Sequence, residues 1–109
     1  MSKAEIHSGI CGFSTTVEAT MDGKVCRLAI TSDCQSITKL SEELAEVDPF
    51  REISHRRAEP LTFEMASKYC PHAACPVPVG IIKAVEIARG LALPADVSIR
   101  LTPNETAAD

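Results

Sequence analysis

Cys11, Cys34, Cys70 and Cys75 are the residues of this chain best suited to chemistry. Thiolates are soft ligands. Four of them converging on one point satisfy a zinc ion, at about 2.3 Å per bond, or an iron–sulfur cluster. Cys70 and Cys75 enclose four residues. This spacing is looser than the usual two-residue knuckle but lies within the range of zinc loops. The fifth cysteine, Cys26, sits mid-strand on the same face as Leu28 and Ile30 and reads as a buried structural thiol. His72 lies inside the Cys70–Cys75 loop and is a possible substitute ligand. His7 would reach the same ion only if the chain bends at Gly9, because four extended residues span about 13 Å. Two other readings stand beside metal binding. Cys11–Cys34 or Cys70–Cys75 could cycle as a redox pair, and all four could be packed thiols with no further role.

A hairpin must bring the first two cysteines together. Phe13, Thr15, Val17 and Ala19 alternate with polar partners, and Cys26, Leu28 and Ile30 resume the alternation after Asp22-Gly23. Asp-Gly between two alternating runs is a strong hairpin signal. With Asp22 and Gly23 as the loop, Met21 faces Lys24, Ala19 faces Cys26, Val17 faces Leu28 and Thr15 faces Ile30. Extrapolated to the strand ends, Cys11 then faces Cys34.

A helix follows at once. Ser32 with Gln35 fits a capping box, and Ile37, Leu40 and Leu44 give an apolar stripe to about Val47. This start draws Cys34 into the first helical turn, where the macrodipole favours a thiolate. Residues 48–60 read as a loop, and Leu61 to Tyr69 as a short helix with Phe63 and Met65 partly buried. Pro71, Pro76 and Pro78 shape the loop around the second cysteine pair. A second long helix runs from about Val79 to Arg89, with Gly90 as its stop. Its apolar face must cover the sheet, which is the argument for placing Cys75 near the first pair. Val97, Ile99 and Leu101 alternate with Ser98 and Arg100 and predict a last strand. Residues 102–109 read as a frayed tail. The expected fold is α+β: an antiparallel hairpin and a returning C-terminal strand, with two or three helices on one face.

Composition narrows the function. The chain has 109 residues, which suits a single domain. Its formal charge is −4, and His55-Arg56-Arg57 is flanked by Glu52 and Glu59, so it lacks the footprint of a nucleic-acid binder. The first residues carry no apolar signal region and no stretch is long enough to span a membrane, which predicts a cytoplasmic protein. Thiols stay reduced there, which favours metal or redox chemistry over structural disulfides. No nucleophilic dyad or phosphate loop stands out, so the balance leans away from an enzyme.

This layout resembles the TSCPD domain, a small cysteine-containing module found alone and at the C-termini of some ribonucleotide reductases. Cys34, Cys70, Cys75 and Pro76 match its pattern by position, and Ile81 to Ile87 match its apolar helix. Ala73-Ala74-Cys75-Pro76-Val77 stands where that family shows Thr-Ser-Cys-Pro-Asp, so Val77 replaces the acidic residue. The resemblance implies metal binding by the cysteines. The chain also resembles uncharacterised prokaryotic families of stand-alone domains. The leading expectation is a zinc site at Cys11, Cys34, Cys70 and Cys75 in a structural or protein-interaction module that forms a homo-oligomer. An iron–sulfur or thiol-redox protein is the first alternative. A metal-free domain binding its ligand on the polar sheet face is the second.

Overall fold

In the computed structural model, which describes residues 1–104, the alternation of the first third becomes an antiparallel meander. Strands β1 (Ser2–His7), β2 (Ser14–Asp22) and β3 (Val25–Ser32) lie in sequence order, and the two-residue β4 (Glu46–Val47) closes the far edge. Helix α1 (Gln35–Glu43) precedes β4. Helices α2 (Pro49–Glu52), α3 (Leu61–Tyr69) and α4 (Val77–Arg89) follow it. The fold is α+β, with the helices gathered on one face of the sheet.

Side-chain parity explains that gathering. Val17, Ala19, Cys26 and Leu28 point to one face and are buried, whereas Glu18, Thr20, Arg27 and Ala29 point to the other and are exposed. The buried face receives Ile37 and Leu40 from α1 and Ile81, Ala84 and Val85 from α4. Each large aliphatic side chain removed from water here contributes about 1.5–3 kcal/mol. Helix α4 approaches closely at Gly80, where a Cβ would lie 2.7 Å from Ile6 Cγ1.

The hairpin register differs from the expected one. Asp22 pairs with Val25 and Met21 with Cys26, so Gly23 and Lys24 form the loop. Gly23 has φ 64° and Lys24 a negative φ, which fits a type II′ turn with glycine at its first central position. The register therefore slides by two residues. A slide of two preserves which face each side chain takes, so the predicted core survives, but Val17 now faces Ile30 and Thr15 faces Ser32.

The third strand beside the hairpin comes from the N-terminus, not from the chain's other end. Ala4 pairs with Val17 and Ile6 with Thr15. Residues 97–101, expected to return as a strand, are exposed and belong to no strand. Of the tail expected at 102–109, residues 102–104 are exposed and irregular, and the remainder lies outside the described residues.

The segment expected as a loop at 48–60 contains α2. Asp48 caps it, accepting from the Phe50 N–H at 3.0 Å, and Pro49 supplies a preset φ. Its last residue, Glu52, is 1% exposed. That carboxylate accepts from Leu61 N–H at 3.0 Å, Thr62 N–H at 2.9 Å and the Thr62 hydroxyl at 2.6 Å. A buried acid thus satisfies the N-terminus of α3 and fixes where that helix starts. Its far end carries Cys70.

Candidate functional site: a four-cysteine cleft

Three chain reversals meet at the open end of the hairpin. They are the β1–β2 loop, the β3–α1 junction and the α3–α4 connection. Together they border a cleft of about 670 Å³ lined by Cys11, Cys34, Cys70 and Cys75. His72 lines it as well, with Phe13 and Ile37 among its apolar walls.

Cys34 is the N-cap of α1, with extended backbone at φ −87° and ψ 123°. Its N–H donates to Ser32 Oγ at 3.0 Å, and Ser32 Oγ lies 2.7 Å from the hydroxyl of the buried Thr15. The expected Ser32–Gln35 capping box is absent, because the Ser32 hydroxyl serves Cys34 itself. The Cys34 carbonyl accepts from the Thr38 N–H at 2.9 Å and opens the helix.

Cys70 closes α3, its N–H donating to the Ala66 carbonyl at 2.8 Å. Its thiol points to the His72 carbonyl at 3.6 Å. The Cys75 N–H returns to the same carbonyl at 3.2 Å, so His72 O sits between the two cysteines of the loop. The Cys75 thiol faces the start of α4. Burial pushes its pKa up; the Val77 N–H pulls it down, and the neighbouring Cys70 and Cys34 thiols push it up again. Cys34 and Cys70 therefore each lie within electrostatic reach of Cys75, and all three line the same cleft. The packing argument for bringing Cys75 to the hairpin's open end holds.

Cys11 enters differently. With the register slid by two, it does not face Cys34 across a ladder. It rides in the loop between β1 and β2, where Gly9 and Gly12 adopt φ 87° and 76°. The Gly12 N–H donates to the Gly9 carbonyl at 2.9 Å and the Ser8 N–H to the Phe13 carbonyl at 3.0 Å, which makes a tight flap. Cys11 is exposed on that flap at the cleft's rim. The chain does bend at Gly9, but His7 stays local: its Nδ1 accepts from the Gly9 N–H at 3.2 Å.

Cys26 lies at the opposite, turn end of the hairpin. It is fully buried, paired with Met21 on one side and Val47 on the other. Burial raises its pKa, which keeps it a neutral thiol.

The side chains are not closed around a point. Among the described residues, no three His, Cys, Asp or Glu side chains form a group set to hold a metal ion. The donor chemistry nevertheless fits a soft cation. Four thiols line one cleft, two of them at the starts of α1 and α4 and one in a glycine-bounded flap. Sequence reasoning missed Ser32 and Thr15 as the residues that hold Cys34, and Asp33, whose carboxylate accepts from the Ser14 N–H at 3.2 Å below the flap. The consecutive Ser32-Asp33 before the helix was the available signal.

No helix among the described residues is long and apolar enough to cross a membrane. No curated protein matches the chain, and no solved structure matches it. A family model does match, over residues 2–101, and by that match the chain belongs to the family of unknown function DUF6951.

Proposed function

We propose that this chain is a small cytoplasmic metal-binding domain whose thiolates hold a zinc ion. The observation that carries this reading is that Cys11, Cys34, Cys70 and Cys75, from three separate chain segments, line one cleft. Cys34, Cys70 and Cys75 are the anchored ligands, and Cys11 is the ligand brought in by the flap. His72 is the substitute should Cys11 remain outside. A zinc ion held by four thiolates supplies cohesion rather than reactivity.

The chain's own residues do the rest. The N-termini of α1 and α4 offset part of the negative charge at Cys34 and Cys75. Ser32 and Thr15 fix the direction of Cys34. Each thiol gives up its proton on binding, so affinity falls as pH falls. The site would tie β3, α3 and α4 together where the sheet has no strand to do so. The role is structural or that of an interaction module, in line with the resemblance of residues 73–77 to the TSCPD loop.

The contact between the Cys70 and Cys75 thiols favours a second reading, in which the same residues form a redox pair or hold an iron–sulfur cluster. A visible absorption spectrum of protein purified without oxygen shows a cluster directly, and titration of the reduced, metal-free chain with Co²⁺ separates the zinc site from the redox pair. The zinc reading expects a saturable thiolate charge-transfer band at one equivalent of Co²⁺, lost on adding Zn²⁺ and in Cys75→Ser. The redox reading expects no such band and a readily formed Cys70–Cys75 disulfide.

A further inference from the structure

The residues after α4 form an arm with an unused strand pattern. Val97, Ile99 and Leu101 are 60%, 76% and 87% exposed, and Ser98 and Arg100 alternate with them. Among the described residues, no backbone hydrogen bond joins 97–101 to the sheet. The DUF6951 match, over residues 2–101, includes this segment.

The same chain carries an open strand edge. β1 pairs with β2 on one side and ends the sheet on the other. Among the described residues no strand pairs with that side, so alternate residues of the six-residue strand turn their backbone groups outward along one edge, a template for another strand. The root of the arm does not use it. Residues 94–97 stand off β1 and α4 across a groove of about 580 Å³, walled by Ile6, Gly80, Ala84 and Ile87. Ile99 and Leu101 lie beyond that groove.

We infer that the arm is exchanged: residues 97–101 of one copy add as a fifth strand to the β1 edge of a second copy, and the second copy returns its own. Donor and acceptor sit on one chain, so reciprocal exchange closes a two-fold dimer in which both β1 edges are covered. The lengths match, five residues of arm against the six of β1. Parity matches too. With Val97, Ile99 and Leu101 on the helix side beside Ile6, Ser98 and Arg100 fall on the face that carries Lys3 and Glu5. The exposed aliphatic residues, costly in a monomer, become the contact. Pro94 and Pro103 bracket the segment and stop the pairing from spreading.

The test uses the full chain in reducing buffer with a chelator, so that no metal can link the copies. Sedimentation equilibrium is expected to give twice the 11.7 kDa chain mass, and Ile99→Glu to weaken the dimer by roughly tenfold or more while circular dichroism stays unchanged. Isotope-filtered NMR on a mixture of labelled and unlabelled wild-type chains is expected to show contacts between residues 97–101 of one copy and residues 3–6 of the other. A wild-type chain that stays monomeric at high micromolar concentration overturns the inference. So does a dimer indifferent to Ile99→Glu, or an arm whose contacts to β1 lie within one chain.

Discussion

The backbone N–H of Cys34 donates to the hydroxyl of Ser32 across 3.0 Å, and that hydroxyl reaches the buried Thr15 at 2.7 Å. A candidate ligand is thereby aimed by the sheet itself, through a side chain at the last position of β3. Removing the hydroxyl leaves a partly buried N–H and a buried Thr15 hydroxyl without their partner. Ser32→Ala is expected to cost about 1–2 kcal/mol in urea unfolding of the metal-free chain. It should also weaken zinc binding by roughly tenfold in a competition titration, as loss of an orienting hydrogen bond does. Unchanged affinity would show that Cys34 needs no such aiming.

Glu52 is expected to be among the most sensitive polar residues. Its carboxylate satisfies two backbone N–H groups and one hydroxyl at the start of α3. Glu52→Ala strands these donors in the interior and should destabilise the chain by about 2–4 kcal/mol, read from denaturant midpoints at constant slope. Thr62→Val removes only one donor and should cost less than half as much. A small effect of Glu52→Ala would mean that water reaches the helix start.

Cys26 sets a pH dependence. Its pKa in the folded chain lies above the ordinary 9.0, because burial penalises the thiolate. Unfolding exposes a thiol that ionises near its ordinary value, so the unfolded chain loses its proton first as pH rises. Stability is therefore full below about pH 8 and declines through pH 9 and upward. Cys75, also raised, adds to the decline in the metal-free chain. Melting curves between pH 7 and 10.5 should show this fall, and Cys26→Ala should flatten it. A melting temperature that rises over that range would contradict the burial account.

Thiol labelling should report the placement of the cysteines directly. In the folded, metal-free chain at pH 8, iodoacetamide should modify the exposed Cys11 first, and the buried Cys26 only on unfolding. Cys75, half-buried with a raised pKa, should lag behind Cys11. Zinc should protect Cys34, Cys70 and Cys75 and leave the behaviour of Cys26 unchanged. Peptide mass analysis after timed quenching reads all five.

The sequence made the core and the site legible to different degrees. Alternation placed Val17, Ala19, Cys26 and Leu28 on one face, and this was robust because a two-residue slide leaves side-chain parity intact. The slide itself was not visible: Asp22-Gly23 and Gly23-Lys24 are both acceptable two-residue loops, and the choice rests on which φ signs the backbone adopts. It moved Cys11 from a strand into a flap. Ala4 and Ile6 alternate with Lys3, Glu5 and His7, a strand signal too short to stand out until its partner, β2, was fixed. Val97, Ile99 and Leu101 carried an equally good strand pattern but found no sheet edge within their own chain, since pairing depends on tertiary reach that periodicity does not encode. Glu52 was opaque because its role depends on a helix start nine residues later.

Elemental analysis with a visible spectrum, on protein purified without oxygen or chelators, tests the central claim most directly. The account predicts a colourless protein carrying about one zinc per chain. The zinc should be lost in Cys34→Ser, Cys70→Ser and Cys75→Ser, reduced in Cys11→Ser and retained in Cys26→Ser. Protein that carries no metal and takes up none, or that loses zinc equally in Cys26→Ser, would contradict it.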